Sequence, residues 1–177
     1  MMGDGDVGEI RAAECIIADR PAFLVAVRSV AQVHNAHIIC FNADMVAGSA
    51  HVQAAVDHAV RSFRDGSAIS NTFEMEALLY AAGSRQCNIG ASFGIHEGKN
   101  RLWVCCCSPC PCEEVFTALI PSMEFVSGDS WNSMDPDREK SLMKLFDIPI
   151  EELQTLQNKD RIVDLILERV ALLDVMR

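Results

Sequence analysis

The feature that most constrains the fold is alternation: stretches with a helical repeat of apolar residues take turns with short, unbroken apolar runs of strand length. From Ser49, read as the cap, Val52, Val56, Val60 and Phe63 recur every three or four residues until Asp65-Gly66, which is the pattern of an amphipathic helix. A second helix begins at Asn71, which forms a capping box with Glu74 three residues later, carries a stripe of Met75, Leu78, Leu79 and Ala82, and stops at Gly83. The run His37 to Asn42 has instead the length and continuous apolar character of a buried strand.

The rest of the chain extends this alternation. Glu14 to Asp19 reads as a first strand, and Pro21 suits the first turn of a helix that runs to about Asn35. Two strands are predicted at Gln86 to Ile95 and Leu102 to Cys107, joined by the polar hairpin loop His96 to Asn100. A short helix at Glu113 to Leu119 is closed by Pro121, a last strand lies at Glu124 to Val126, and Ser127 to Asp137 has the composition of a surface loop. Three helical segments finish the chain: Pro136 to Phe146, Pro149 to Leu156 and Lys159 to Met176. Strands interleaved with helices predict an α/β fold, a mixed β-sheet flanked by α-helices with a helical C-terminal extension. At 177 residues and 50% hydrophobic content, one domain over residues 10–177 is expected, preceded by a disordered acidic tail at residues 1–9.

Composition narrows the function. No apolar run approaches the roughly 20 residues that span a bilayer, and the N-terminus is Gly/Asp-rich where an export signal would be basic and then apolar, so a cytoplasmic protein is expected. The eight cysteines are then expected to be reduced thiols. A net charge of −10 argues against gripping nucleic acid through a broad basic surface. That charge is uneven. Residues 1–44 carry six acids and three bases, residues 45–101 five of each, and residues 102–177 fourteen acids and seven bases. An anionic ligand would therefore favour the neutral middle third, which holds Arg61, Arg64, Arg85, Lys99 and Arg101.

The same middle third carries a motif. From His51 to Gly98 the chain reads HVQAAVDHAVRSFRDGSAISNTFEMEALLYAAGSRQCNIGASFGIHEG, with E-x-x-L-Y-x-x-G-x-R-Q from Glu76 to Gln86 and F-G-I from Phe93 to Ile95. This stretch of about 48 residues resembles the KEOPS-complex subunit typified by the PRPK-binding protein, with the remainder matching in topology. The resemblance implies an α/β fold and direct binding to the small RIO-like kinase of that complex. In archaeal-type members it also implies capture of the single-stranded CCA end of tRNA. The whole complex installs threonylcarbamoyladenosine beside the anticodon, and such a subunit contacts the rest of it indirectly, performs no chemistry and needs no cofactor. Many relatives carry Lys where this chain has Ser84.

Elementary chemistry is compatible with that role. Gly83 lets the chain turn, so that Arg85 and Gln86 stand at a helix C-terminus, where an Arg offers a fork of donors to phosphate and a Gln a donor and an acceptor to a base edge. Asn71, Lys99 and Arg101 complete the candidate tRNA-binding set. The competing reading is that Arg85 neutralises the helix end and pairs with Glu74 or Glu76, and that Asn71 is only a cap. His51 and His58, seven apart, lie about 10 Å apart along a helix, too far to share one metal ion, and are read as surface or packing residues. Tyr80 is read as a partly buried ring with a wet hydroxyl.

Two further features remain. Cys105, Cys106, Cys107, Cys110 and Cys112 include one C-x-x-C, without the second paired knuckle that a four-ligand zinc site requires. They are read as small apolar residues ending a strand and entering a turn, so no metal is assigned, and a cysteine-based metal-binding or redox module is the alternative function. The final helix is apolar nearly all round. Its Ile162, Leu165, Ile166 and Leu173 are candidates for kinase binding, the alternatives being burial beneath Leu142 to Leu156 or self-association. No phosphate loop, zincin motif or nucleophile elbow occurs, and Glu74 and Glu76, two apart, point to different sides, so no catalytic residue is assigned.

Overall fold

The computed structural model describes residues 8–154 and 161–175. Its elements are β1 (Glu9–Ile17), α1 (Arg20–Val33), β2 (His37–Asn42), α2 (Ser49–Arg64), α3 (Phe73–Ala82), α4 (Cys87–Ser92) and β3 (Gly98–Cys107). There follow α5 (Cys112–Leu119), β4 (Glu124–Val126), a 3-10 turn at Asp129–Asn132, α6 (Pro136–Leu145), α7 (Ile150–Gln154) and α8 (Arg161–Val175). The four strands form one sheet in the order β2-β3-β1-β4. The α/β class is as read, with helices on the sheet and a helical C-terminal part. Within it the sheet is antiparallel at every pairing rather than mixed.

Because successive strand residues face opposite ways, β3 serves two cores at once. Leu102, Val104 and Cys106 pack with Val27 of α1 and Val115, Phe116 and Leu119 of α5. Trp103, Cys105 and Cys107 pack on the other face with Val52 and Val56 of α2, Tyr80 of α3 and Ile162, Ile166 and Leu173 of α8. The continuous apolar run of β3 is thus that of a central strand covered on both sides.

Several boundaries differ from the sequence reading. β1 begins at Glu9 and ends at Ile17, so the expected tail over residues 1–9 overlaps the strand at its end, and its residues 1–7 lie outside the described residues. The expected strand at Gln86 to Ile95 is instead the short helix α4, and no hairpin joins it to β3. A short apolar run is ambiguous between strand and helix, and here close packing decides. Gly90 lies so near α3 that a Cβ on it would stand 2.9 Å from Leu79 Cδ2. The predicted final segments map onto α6, α7 and α8, with the junction at residues 155–160 outside the described residues.

Caps also differ. The N-cap of α3 is Thr72, whose Oγ1 accepts from Met75 N–H at 3.3 Å, not Asn71. Glu74 bonds His37 Nδ1 at 2.7 Å instead of closing a capping box. Ser49 is the first residue of α2, and Asn132 Oδ1 from the 3-10 turn accepts its N–H at 2.9 Å. A local rule named a plausible oxygen in each case, and a neighbouring or remote one took the place.

Candidate functional site

The G-x-R-Q element is the turn between α3 and α4. Gly83 ends α3 in the left-handed conformation at φ 56°, and Ser84 N–H returns to Leu79 O at 3.1 Å, satisfying a carbonyl of the last turn. Gln86 is the N-cap residue of α4, its carbonyl accepting from Ile89 and Gly90 N–H at 3.0 Å and its N–H bonding Ser84 Oγ at 3.2 Å. This bonding fixes the turn while Arg85 and Gln86 remain exposed.

The rest of the set lies on other elements. Asn71 is exposed, but it sits at the opposite end of the ten-residue α3, roughly 15 Å away along the axis. Lys99 is exposed at the start of β3, opposite Ile16 of β1. Arg101 is engaged elsewhere: its Nη1 bonds Asp44 Oδ1 at 3.1 Å, and its guanidinium lies 4.6 Å from the centre of the Trp131 ring. Its charge is therefore answered locally.

Tyr80 is not wet. The ring is fully buried, its hydroxyl donates to Asp174 Oδ1 of α8 at 2.5 Å, and His58 stacks on it while bonding Asp174 Oδ2 at 2.6 Å. His51 is completely buried, with Nε2 at 3.0 Å from Ala81 O and Nδ1 accepting Ala47 N–H at 3.1 Å. Both histidines are structural.

The four α8 residues named for kinase binding face inward. Ile162, Leu165, Ile166 and Leu173 are at most 4% exposed and belong to the protein's own core, so they present no surface to a partner. What α8 shows outward is Leu172 and Val175, at 46% and 78% exposure. An all-round apolar pattern reflected a helix set deep against α2, α3, α6 and α7, the burial alternative.

The cysteine run is divided by the sheet. Cys105 and Cys107 share one face with their sulfurs 3.9 Å apart, while Cys106 lies on the other, where Cys112 donates to its carbonyl at 3.3 Å. Cys107 is buried and Cys110 exposed, so the C-x-x-C thiols do not converge on the same environment. Burial pushes the Cys106 thiol up, and the bond to Cys107 together with burial does the same for Cys105. Among the described residues no group of three or more His, Cys, Asp and Glu side chains is placed to hold a metal ion.

One feature escaped the sequence reading altogether. A cavity of about 620 Å³ runs along the outer edge of β2 between α1 and α3. Helix α1 buries only Val27, leaving Phe23 and Leu24 half-covered along that cavity. The signal was available in hindsight: α1 carries more apolar residues than one buried position needs.

No described helix is long and apolar enough to cross a membrane. A search of curated proteins gave no match. The family model described as "Kinase binding protein CGI-121" matches residues 24–174, from the second turn of α1 to the last turn of α8. With that match spanning most of its length, the chain belongs to the CGI-121 kinase-binding protein family.

Proposed function

We propose that this protein is an accessory subunit of the KEOPS tRNA threonylcarbamoyladenosine-modification complex. It docks the small RIO-like kinase and recruits tRNA through its 3′ CCA tail. The observation that carries the reading is the kinase-binding family match over residues 24–174, joined to the exposed Arg85-Gln86 turn in the segment that resembles such subunits. Its work is positional and cytoplasmic, with no chemistry of its own. Holding the tRNA tail raises the effective concentration of the distant anticodon loop at the catalytic subunit.

The candidate RNA contacts centre on the exposed Arg85 and Gln86, with Lys99 as a further exposed cation, while Asn71 lies at the far end of α3. Few cations imply modest affinity with a shallow salt dependence. Two measurements test the reading: co-purification with the cognate kinase, and tRNA binding at fixed low salt with and without the CCA end. Wild type should retain the kinase and require the tail, and Arg85→Ala should weaken tRNA binding about tenfold, as loss of a charge-assisted hydrogen bond does. Failure to retain the kinase overturns the reading. Indifference to the tail overturns its RNA half.

A further inference from the structure

β2 is an outer strand, with β3 along one side and, among the described residues, no strand along the other. The bond from Ala43 N–H to Arg101 O at 2.8 Å sets the phase of the β2–β3 ladder: His37, Ile39 and Phe41 pair with β3, whereas Ile38, Cys40 and Asn42 turn their backbone groups outward. Asn42 N–H is satisfied there by Phe93 O at 2.7 Å. Among the described residues, the outward groups of Ile38 and Cys40 have no such partner. Exposed strand edges are normally blunted or covered. This one opens into the cavity instead, with Gly94 at its far end, where a Cβ would stand 3.8 Å from Cys40 O.

The walls define what fits. Phe23 and Leu24 of α1 flank one side, and Met75 and Leu78 of α3 the other, so a chain laid against β2 would have a helix over each face. A strand so placed must be apolar on both faces. The volume of about 620 Å³ is that of a formed ligand site, within the usual range of roughly 300–1,000 Å³. Its mouth carries a net positive charge despite the total of −10, because Arg20 and Arg28 line it against the single carboxylate of Glu74, which bonds His37 at 2.7 Å and feels the charge of Arg28.

We propose that this groove seats an extended segment of the partner kinase, apolar on both faces and carrying an acidic residue, which pairs with Ile38 and Cys40 as a fifth strand. This rests on the kinase-docking reading and supplies its site. Outward N–H and C=O groups at strand spacing are complementary to another backbone. Single-stranded RNA, by contrast, is held by stacking platforms and a run of cations, and Phe23 is the one aromatic ring on these walls besides His37.

The test is titration of the full-length chain with the kinase. Cys40→Pro removes an N–H that the sheet does not use, at an edge position where proline is admitted, and Leu24→Asp charges the wall. Each should weaken kinase binding at least tenfold while circular dichroism and the unfolding midpoint are retained, and Leu172→Asp on α8 should leave binding unchanged. Hydrogen exchange on the wild type reads the same edge without mutation: the Ile38 and Cys40 amides should gain protection when the kinase is added, and unchanged exchange there overturns the proposal. If wild type binds no kinase, both this proposal and the docking reading fall. If wild type binds but Cys40→Pro and Leu24→Asp bind equally well, the groove is overturned and kinase docking stands. Loss of tRNA-tail binding in these variants with kinase binding intact would make the groove an RNA site and overturn the proposal likewise.

Discussion

A neutral imidazole is built into the contact between α2 and α3. Ala47 N–H donates to His51 Nδ1, which must therefore carry no proton, and Nε2–H donates to Ala81 O. Burial lowers the His51 pKa from its usual 6.5 to about 4, against a smaller opposing pull from the Ala81 carbonyl. The unfolded chain thus binds a proton between those values that the folded chain refuses, so stability falls as pH drops from about 6.5 to about 4. The full loss amounts to roughly 3 kcal/mol. Urea unfolding between pH 7 and pH 4 should show this slope, and His51→Gln, which keeps a donor and an acceptor but does not titrate, should flatten it. Glu74 does not mimic the effect. Burial raises its pKa, but the His37 hydrogen bond, a backbone hydrogen bond and the charges of His37 and Arg28 together lower it by more, so its contribution is lost as pH falls through the ordinary carboxylate value and below. The neighbouring Glu76 shows what residue-level reading can reach. Its direction, away from Glu74, follows from helix geometry. Its partners do not, because Ile69 N–H, Ser70 N–H and Ser62 Oγ come from a loop and a helix that only the tertiary fold brings to the carboxylate.

At the scale of elements, legibility followed periodicity. α2 lies where its apolar repeat put it, because a repeat over sixteen residues averages over local exceptions, and β2 lies where its unbroken apolar run put it. α4 was read as a strand because its six residues are too few to show a helical period, and a Gly placed for contact with Leu79 looks like a helix breaker in sequence. The cysteine-rich end of β3 was correctly read as buried strand, and it yields a prediction about thiol chemistry. Cys87 and Cys110 are exposed, whereas Cys105, Cys106, Cys107 and Cys112 are buried. Burial also pushes half-covered Cys40 up to about 12 and raises Cys15, and the thiolate is the reactive form. Native protein treated with a thiol-specific chromogenic disulfide at pH 8 should therefore show two fast equivalents, removed one at a time by Cys87→Ser and Cys110→Ser, with the others appearing in denaturant. Fast reaction of Cys105 to Cys107, or stoichiometric zinc in purified protein, would restore the metal or redox alternative.

For the whole molecule, the role of α8 decides whether the C-terminal part is an appendage or part of the fold. Ile162, Leu165, Ile166, Val170 and Leu173 are all buried, and Asp174 at the end of the helix takes bonds from Tyr80 and His58. At about 2 kcal/mol for each buried large apolar side chain, these five residues supply roughly 10 kcal/mol, comparable with the entire net stability of a domain this size. Ile166→Asp should therefore abolish cooperative unfolding or expression of soluble protein, because it places an unpaired charge in the core. Leu172→Asp, on the same helix at an exposed position, should shift the unfolding free energy by no more than about 0.5 kcal/mol. A detachable docking arm would give the opposite result, with Ile166→Asp folding normally and losing only its partner. The same contrast separates the two surfaces available for the kinase. If α8 belongs to the fold, an incompletely covered apolar surface remains on α1 beside the β2 edge, and binding defects should follow substitutions there while defects from inward α8 positions should follow loss of the fold.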